Sequence, residues 1–277
     1  MEPIVFTEVE QPRAEIARLD GGQVAVFSAR SPEKESPNED AAAVVAVNDH
    51  AAVLIVADGL GGSPAGQRAS ALAIEQMVAA LRESAPDEPT LRAVVLNGIE
   101  NANRAICELA VGAASTLAVA EVYGDTVRPY HVGDSMILLV GQRGRVKLQT
   151  VSHSPVGYAV ESGMLDETEA MHHEDRHVVS NILGAPDMRI EIGSPVRMSP
   201  RDTLLLATDG LLDNLHTAEI IERSRKGPLP RAQTQLADDA RRRMTTPQPG
   251  EPSKADDLTF VLFRRTQKAA TDHANAT

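Results

Sequence analysis

Acidic residues stand at the ends of apolar runs all along this chain, and that placement constrains it more than any other feature of the sequence. Glu39-Asp40 immediately precede Ala41 to Val47, and Asp58 follows Val53-Leu54-Ile55-Val56-Ala57 and opens Asp58-Gly59-Leu60-Gly61-Gly62. Asp134 follows Tyr130-His131-Val132-Gly133. Asp209 follows Leu204-Leu205-Leu206-Ala207-Thr208, with Asp213 one helical turn on, and Asp256-Asp257 precede Leu258-Thr259-Phe260-Val261-Leu262. A carboxylate at the end of a buried strand is held rigidly and is only partly hydrated. Two such charges ~4 Å apart repel by about 4 kcal/mol at an effective dielectric near 20. Several gathered together either take up protons or recruit a cation, and hard divalent ions such as Mg²⁺ or Mn²⁺ accept oxygen ligands. The glycines after Asp58 allow a tight turn in which a backbone carbonyl can also face an ion. Taken singly, each aspartate reads as a turn or cap residue, and Asp213 as a cap or a solvent-facing side chain. The specificity lies in the ensemble and in its order.

The intervening segments set the fold class. Gln23 to Ala29, Ala41 to Val47 and Ala51 to Ala57 read as strands, the last apolar throughout and so buried on both faces. Two helices follow. From about Ala65 to Arg82, Ala69, Leu72, Ala73, Gln76, Met77 and Ala80 share one face; from Thr90, a candidate N-cap, to about Ala110, Leu91, Val94, Val95, Ile99, Ala102, Ile106 and Leu109 do the same. Strands resume at Ser115 to Tyr123, Val127 to Val132, Met136 to Val140 and Val146 to Val151, with turn chemistry in the links. A polar interval from Ser152 to about Arg176 holds short helical pieces near Gly157 to Ser162 and Asp166 to His172. Strands near Arg189 to Ile192 and Thr203 to Ala207, helices opened by Thr217 and lying around Arg231 to Met244, and a last strand from Leu258 to Phe263 complete the pattern. Helices come in pairs between runs of strands, so a parallel doubly wound sheet fits poorly. The expectation is one α+β domain over residues 1–265 built on antiparallel sheets, with a frayed polar tail over 266–277.

Charge and composition remove whole classes of function. Against 39 Asp and Glu there are 27 Lys and Arg, a net charge of −12, so neither a nucleic acid nor an anionic membrane is an expected partner. No apolar run approaches the ~20 residues of a membrane span. Met1-Glu2-Pro3-Ile4 lacks the basic start and apolar core of a signal peptide, and a cytoplasmic location is expected. The single cysteine, Cys107, excludes an internal disulfide framework and a multi-cysteine metal site. Ala105-Ile106-Cys107-Glu108-Leu109 reads as helix, so a core thiol is expected there rather than a nucleophile.

Six words of the sequence, in order, resemble the successive motifs of the metal-dependent protein phosphatases of type 2C. They are Asn38-Glu39-Asp40, Val56-Ala57-Asp58-Gly59-Leu60-Gly61-Gly62, Ala114-Ser115-Thr116-Leu117, His131-Val132-Gly133-Asp134-Ser135, Ala207-Thr208-Asp209-Gly210-Leu211-Leu212-Asp213 and Asp256-Asp257-Leu258-Thr259-Phe260-Val261. A lone Asp-Gly-x-Gly-Gly would carry little; the ordered set, from about Val24 to Phe263, carries much. The resemblance implies two packed antiparallel sheets flanked by two pairs of antiparallel helices, with a flap at about 152–186. It implies two Mg²⁺ or Mn²⁺ ions and a third, weaker one. Carried over by motif, Asp58 bridges both ions and the Gly59 carbonyl binds one. Asp209 and Asp256 complete the first site, Glu39 and Asp40 hold the second, directly or through water, and Asp134 shares the third with Asp209. A water bridging the two ions loses a proton near neutral pH and attacks a phosphoserine or phosphothreonine in line. The same resemblance implies that Asp40 and Asp58 are the catalytic aspartates. Phosphoprotein substrates and an opposing serine/threonine kinase are the implied partners, in signalling.

The chain departs from the family pattern in two places. The Arg usual five residues before Asp40, where it holds substrate phosphate, is Glu35. Lys34 is the candidate replacement and Arg30 the alternate, though a lysine binds as a point charge without the bidentate fork; both are otherwise ordinary solvated cations. Second, the residue after Asp58-Gly59 is Leu60, where many eukaryotic members carry His, which points to the bacterial branch. The run His172-His173-Glu174-Asp175-Arg176-His177 invites a zinc reading at His173 and His177, but a solvated flap face is the better account. His153 reads as a satisfied structural histidine. Two other functions fit the same scaffold: a catalytically weak module that binds phosphoproteins, and a phosphatase dedicated to one bacterial signalling switch protein, to which Asp256-Asp257 in place of the common Asp-Asn gives a slight pointer.

Overall fold

The strands pair into two antiparallel sheets, laid face to face, with helices on both outer surfaces. The computed structural model describes residues 1–266 apart from 20, 33, 61–63 and 85–87. In chain order the strands and helices are β1 (Ile4–Phe6), β2 (Arg13–Leu19), β3 (Gly22–Ala29), β4 (Asp40–Asn48), β5 (Ala51–Leu60), α1 (Pro64–Ser84) and α2 (Glu88–Glu108). The middle of the chain forms β6 (Ala114–Ser115), β7 (Leu117–Tyr123), β8 (Thr126–Val132), β9 (Met136–Val140), β10 (Val146–Gln149), α3 (Pro155–Glu161) and α4 (Glu167–Met171). It ends with β11 (Glu191–Ile192), β12 (Val196–Arg197), β13 (Thr203–Ala207), α5 (Asp209–Leu212), α6 (Thr217–Ser224), α7 (Leu229–Thr245) and β14 (Leu258–Arg265). One sheet runs β1-β4-β5-β7-β8-β11, with β12 also on β8 and β6 on the end of β5; the other runs β10-β9-β13-β14-β3-β2.

Alternation along the strands sorts their side chains into three apolar layers. Val24, Val26, Val44, Leu54, Val56, Leu204, Leu206 and Val261 fill the space between the sheets. The opposite face of β4 and β5, with Ala43, Val53 and Ile55, packs on Ala73, Met77, Val95 and Ile99 of α1 and α2. Leu138, Leu205, Phe260 and Leu262 meet Ile220, Leu236 and Ala240 of α6 and α7. A strand buried on both faces must be apolar at nearly every position, which is why β5 and β13 lack a polar alternation. Each fully buried aliphatic side chain of this kind contributes about 1.5–3 kcal/mol. The expected sandwich between helix pairs is therefore the observed one.

Local readings needed correction in several places. The second helix starts at Glu88, so Thr90 lies inside it rather than capping it. Thr217 does open α6, as expected, with His216 at the N-cap. The strand expected over Ser115 to Tyr123 is interrupted at Thr116, because β6 pairs with Gly59 and Leu60 while β7 pairs with Ala51 to Val56. The strand at Val146 stops at Gln149, and the one near Arg189 shrinks to Glu191–Ile192. Cys107 is exposed, not core: Ile106 takes the buried stripe of α2, and the next residue is turned about 100° away from it. The 267–277 part of the expected tail and Gly61-Gly62 lie outside the described residues. No described helix is long and apolar enough to cross a membrane.

Close backbone contact fixes the edge at which the acidic residues emerge. A Cβ on Gly210 would lie 1.8 Å from the Asp257 carbonyl oxygen, and one on Gly59 would lie 2.0 Å from the Gly66 carbonyl oxygen. Neither neighbour is a flexible side chain that can yield. Gly210→Ala is expected to cost about 1–3 kcal/mol by forcing α5 away from the start of β14; urea unfolding measures it, and a midpoint equal to wild type would show that the contact tolerates the methyl group.

Candidate metal centre and active site

Antiparallel pairing brings the distant acidic words to one edge. Asp40 at the start of β4 pairs directly with Asp58 near the end of β5. Ala207, the last residue of β13, pairs with Phe260 near the start of β14, so Asp209 and Asp256, just outside these strands, share the same end. Asp134 sits in the link by which the chain leaves β8 and enters β9, whose first residue, Met136, pairs with Ala207.

The surrounding hydrogen bonds hold this edge rigid. Thr208 Oγ1 donates to Asp40 Oδ2 at 2.8 Å, and the Asp40 N–H donates to Asn38 Oδ1 at 2.9 Å. The Gly59 N–H donates to the Glu39 carbonyl at 3.0 Å, and the Thr116 N–H to the Asp58 carbonyl at 2.8 Å. Asp257 accepts the N–H groups of Ser31 at 2.7 Å and Glu39 at 2.8 Å. It thereby ties the segment carrying Glu39 and Asp40 to the segment carrying Asp256.

Electrostatics record the crowding. Burial, then the charges of Asp209, Asp40, Asp134 and Asp256, push the Asp58 carboxyl well above its ordinary range, although Asp58 keeps some surface open. Burial and the Asp257 charge do the same to Asp40, against the hydrogen bond from Thr208. Asp134 is pushed up to about 7, first by burial and then by Asp209. Asp256 is raised by burial and by Asp209, with Lys254 acting in the opposite sense. These mutual shifts place Asp40, Asp58, Asp134, Asp209 and Asp256 in one electrostatic cluster, with Glu39 beside it through Asp257 and the Gly59 N–H.

The cluster fits divalent ions on three observations. Asp134 Oδ1 is buried with no hydrogen-bond partner among the described residues. The donors are all hard oxygens, as such ions require. Gly66 makes room for Glu39: a Cβ there would lie 2.3 Å from Glu39 Oε1 and 2.9 Å from the Gly59 carbonyl oxygen. A side chain would thus fill the space beside two of the expected ligand oxygens.

Two lysines enter the same cluster. Lys34 Nζ lies 2.8 Å from Glu39 Oε2 and 2.6 Å from Asp257 Oδ2. Lys254 Nζ lies 2.8 Å from both Asp209 Oδ2 and Asp213 Oδ2, and 2.9 Å from Asp256 Oδ2. Arg30 instead pairs with Glu10 at 2.6 Å, and Glu35 is exposed. Sequence reasoning gave no role to Lys254, Asp257 or Thr208. Asp257 had a visible signal in the doubled aspartate; Lys254 had none, because its partners other than Asp256 are about forty residues away in sequence.

A cavity of about 440 Å³ opens from Asp134, Asp209 and Asp213 to Val156, Val160 and Arg176 of the 152–186 segment. That segment is pinned where it leaves and returns. Ser180 N–H donates to the His153 carbonyl at 2.8 Å, and Ser115 and Leu183 exchange backbone hydrogen bonds. His153 itself is buried and satisfied. Its Nδ1 accepts the Gly133 N–H at 3.0 Å, so Nε2 carries the proton toward Glu191 Oε2, also 3.0 Å away. His131, stacked on His153 at 4.3 Å, donates from Nε2 to the Val151 carbonyl. Ligand atoms of His131, His153 and Glu191 lie within 4.8 Å of one another, yet these bonds account for them as a structural brace. His173 accepts the Asp175 N–H at the surface.

Carboxylate oxygens gathered at one end of a sheet sandwich beside an open cleft make a site suited to hard divalent ions. The family model described as Protein phosphatase 2C matches residues 30–243. The chain belongs to the protein phosphatase 2C family. Serine/threonine phosphatase stp of Listeria innocua is 29% identical over 194 residues, covering 67% of this chain and 76% of that one. Protein phosphatase PhpP of Streptococcus pneumoniae is 30% identical over 176 residues, covering 61% and 70% respectively. The solved structure of the S. agalactiae serine/threonine phosphatase aligns with a TM-score of 0.72 at 25% identity, over 95% of this chain and 100% of that one. All three are bacterial, as Leu60 in place of a histidine anticipates.

The raised Asp134 carboxyl has a definite consequence for the ion-free protein. Its value is about 7 in the fold against 3.8 as the reference, so between these values the folded chain holds a proton that the unfolded chain has lost. Stability therefore falls as pH rises through that window. From pH 6 to 8, chelator-treated wild type should lose about 1.4 kcal/mol more than Asp134→Asn. Denaturant unfolding at the two pH values measures this; equal slopes for both proteins would show that Asp134 is not strained by its neighbours.

Proposed function

We propose that the protein hydrolyses phosphoserine and phosphothreonine in proteins with two divalent ions, Mg²⁺ or Mn²⁺, held by the aspartate cluster. The convergence of Asp40, Asp58, Asp134, Asp209 and Asp256 on one edge carries the reading. Membership of the protein phosphatase 2C family supports it, as do the printed names of the bacterial relatives. In this reading Asp58 would serve both ions and the Gly59 carbonyl one; Asp209 and Asp256 would complete the first site, and Glu39 and Asp40 would hold the second. Asp134 and Asp209 offer a third, weaker position, and the orphaned Asp134 oxygen supports its use.

When bound, the ions supply a water activated for attack at neutral pH and neutralise charge on the phosphoryl oxygens. The chain supplies position. Thr208 and Asn38 fix Asp40 opposite Asp58, so the two catalytic aspartates form a rigid pair that would hold the ions in place. A phosphomonoester carries nearly two negative charges and is repelled by the bare cluster, so substrate binding depends on the ions. The residues around the phosphorylated side chain lie in the cavity under the 152–186 flap, where Val156 and Val160 offer apolar contact and Arg176 a positive charge. A cytoplasmic place in signalling, opposite a serine/threonine kinase acting on the same substrates, completes the reading.

Lys34 is the phosphate anchor in this account. Asp257 holds its ammonium beside Glu39, where it adds a point charge next to the second ion. The Arg30 guanidinium pairs instead with Glu10, which is not part of the acidic cluster. With a phosphothreonine peptide and Mn²⁺, Lys34→Ala should raise KM about tenfold, the loss of one charge-assisted contact. Arg30→Ala should change it far less, and unchanged constants in both variants would leave phosphate held by the ions alone. Turnover of a chromogenic phosphate ester should vanish with chelator and return with Mn²⁺ or Mg²⁺. No turnover above that of Asp58→Asn would favour the non-catalytic binding module instead.

A further inference from the structure

Lys254 is built into the metal centre rather than draped over it. Its backbone N–H donates to Asn214 Oδ1 at 3.0 Å and its carbonyl accepts from Asn214 Nδ2 at 2.8 Å. Asn214 is fully buried, and its amide also donates to the Gly210 carbonyl at 2.9 Å. The Asn214 carbonyl accepts from Arg243 Nη1 at 2.7 Å, and Ser253 Oγ donates to the Arg243 carbonyl at 2.8 Å. The side chain leaving this clamp puts Nζ within 2.9 Å of three carboxylates, Asp209, Asp213 and Asp256.

Two of those three are expected ligands of the first ion, and one is not. An ammonium bridging Asp209 Oδ2 and Asp256 Oδ2 sits between two expected ligands of the ion, so lysine and ion compete for these carboxylates. Asp213 remains a partner for the lysine when the other two turn to the ion. We propose that Lys254 is a tethered place-holder for the first ion: its ammonium bridges Asp209 and Asp256 in the ion-free protein and withdraws to Asp213 when a divalent ion enters. This rests on the reading of the aspartate cluster as a divalent-ion site. The place-holder relieves carboxylate repulsion before loading, at the cost of weaker ion binding, so the site half-fills at a higher concentration of free ion.

Calorimetric titration of the full chain with Mn²⁺, together with melting of the chelator-treated protein, tests the proposal. Lys254→Met should bind the first ion about tenfold more tightly and melt lower when ion-free, whereas Lys254→Arg, which keeps a cation, should stay near wild type in both. Lys226→Met, whose ammonium pairs with Glu222 on the surface, is the control and should change nothing. Equal or weaker Mn²⁺ binding by Lys254→Met overturns the proposal, and absence of Mn²⁺ binding by wild type overturns the metal reading beneath it. Amine labelling of the wild-type protein covers the case in which Lys254→Met does not fold. Saturating Mn²⁺ should raise labelling of Lys254 severalfold relative to Lys226; unchanged or reduced labelling would contradict the exchange.

Discussion

Repulsion among carboxylates fixed at one edge of a sheet sandwich is the constraint on which the rest of this molecule depends. The edge exists because every strand that carries an acidic residue is paired antiparallel with its neighbour, so the end of one coincides with the start of the next. Asp40 faces Asp58 across β4 and β5, and Asp209 and Asp256 flank the same end of β13 and β14. Asp134 crosses between the sheets at that end. Apolar layers on both faces of these strands make the arrangement stiff, and stiffness prevents the charges from moving apart. What cannot relax must be neutralised by protons, by lysines or by divalent ions.

The chain carries the first two remedies within itself. Burial and neighbouring charge lift Asp40, Asp58 and Asp134 toward protonation. Lys34 and Lys254 each enter the cluster from a different side and pair with two and three carboxylates. Asp257 is the counterpart on the protein side. Buried at 3% exposure, it spends its oxygens on two backbone N–H groups and on Lys34, and so ties the first acidic word of the sequence to the last. Function and stability pull against each other here, as they commonly do at preorganised sites.

Much of this was legible in the sequence. The apolar runs of β4, β5, β13 and β14 had to be buried strands, and the paired helices between them had to lie outside the sheets. Other elements had no such signal. β2 reads Arg13-Ala14-Glu15-Ile16-Ala17-Arg18-Leu19, an edge strand half open to water, so nothing in its pattern demanded burial. β1 and β12 are three and two residues long, too short for periodicity to register. α5 is a single turn whose existence depends on Gly210 fitting against Asp257. In the site, the aspartates declared themselves by position at strand ends. The partners of Lys254 and the clamp by Asn214 are tertiary facts that only the assembled edge reveals.

The central claim is that these aspartates form one ion-binding unit, and counting ions tests it most directly. Equilibrium dialysis against Mn²⁺, with metal and protein then quantified, should give at least two ions per wild-type chain, and, on the proposed sharing of its carboxylate, Asp58→Asn should lose both. An Asp58→Asn protein that keeps the wild-type complement of ions, or a wild-type protein that takes up none, would contradict it.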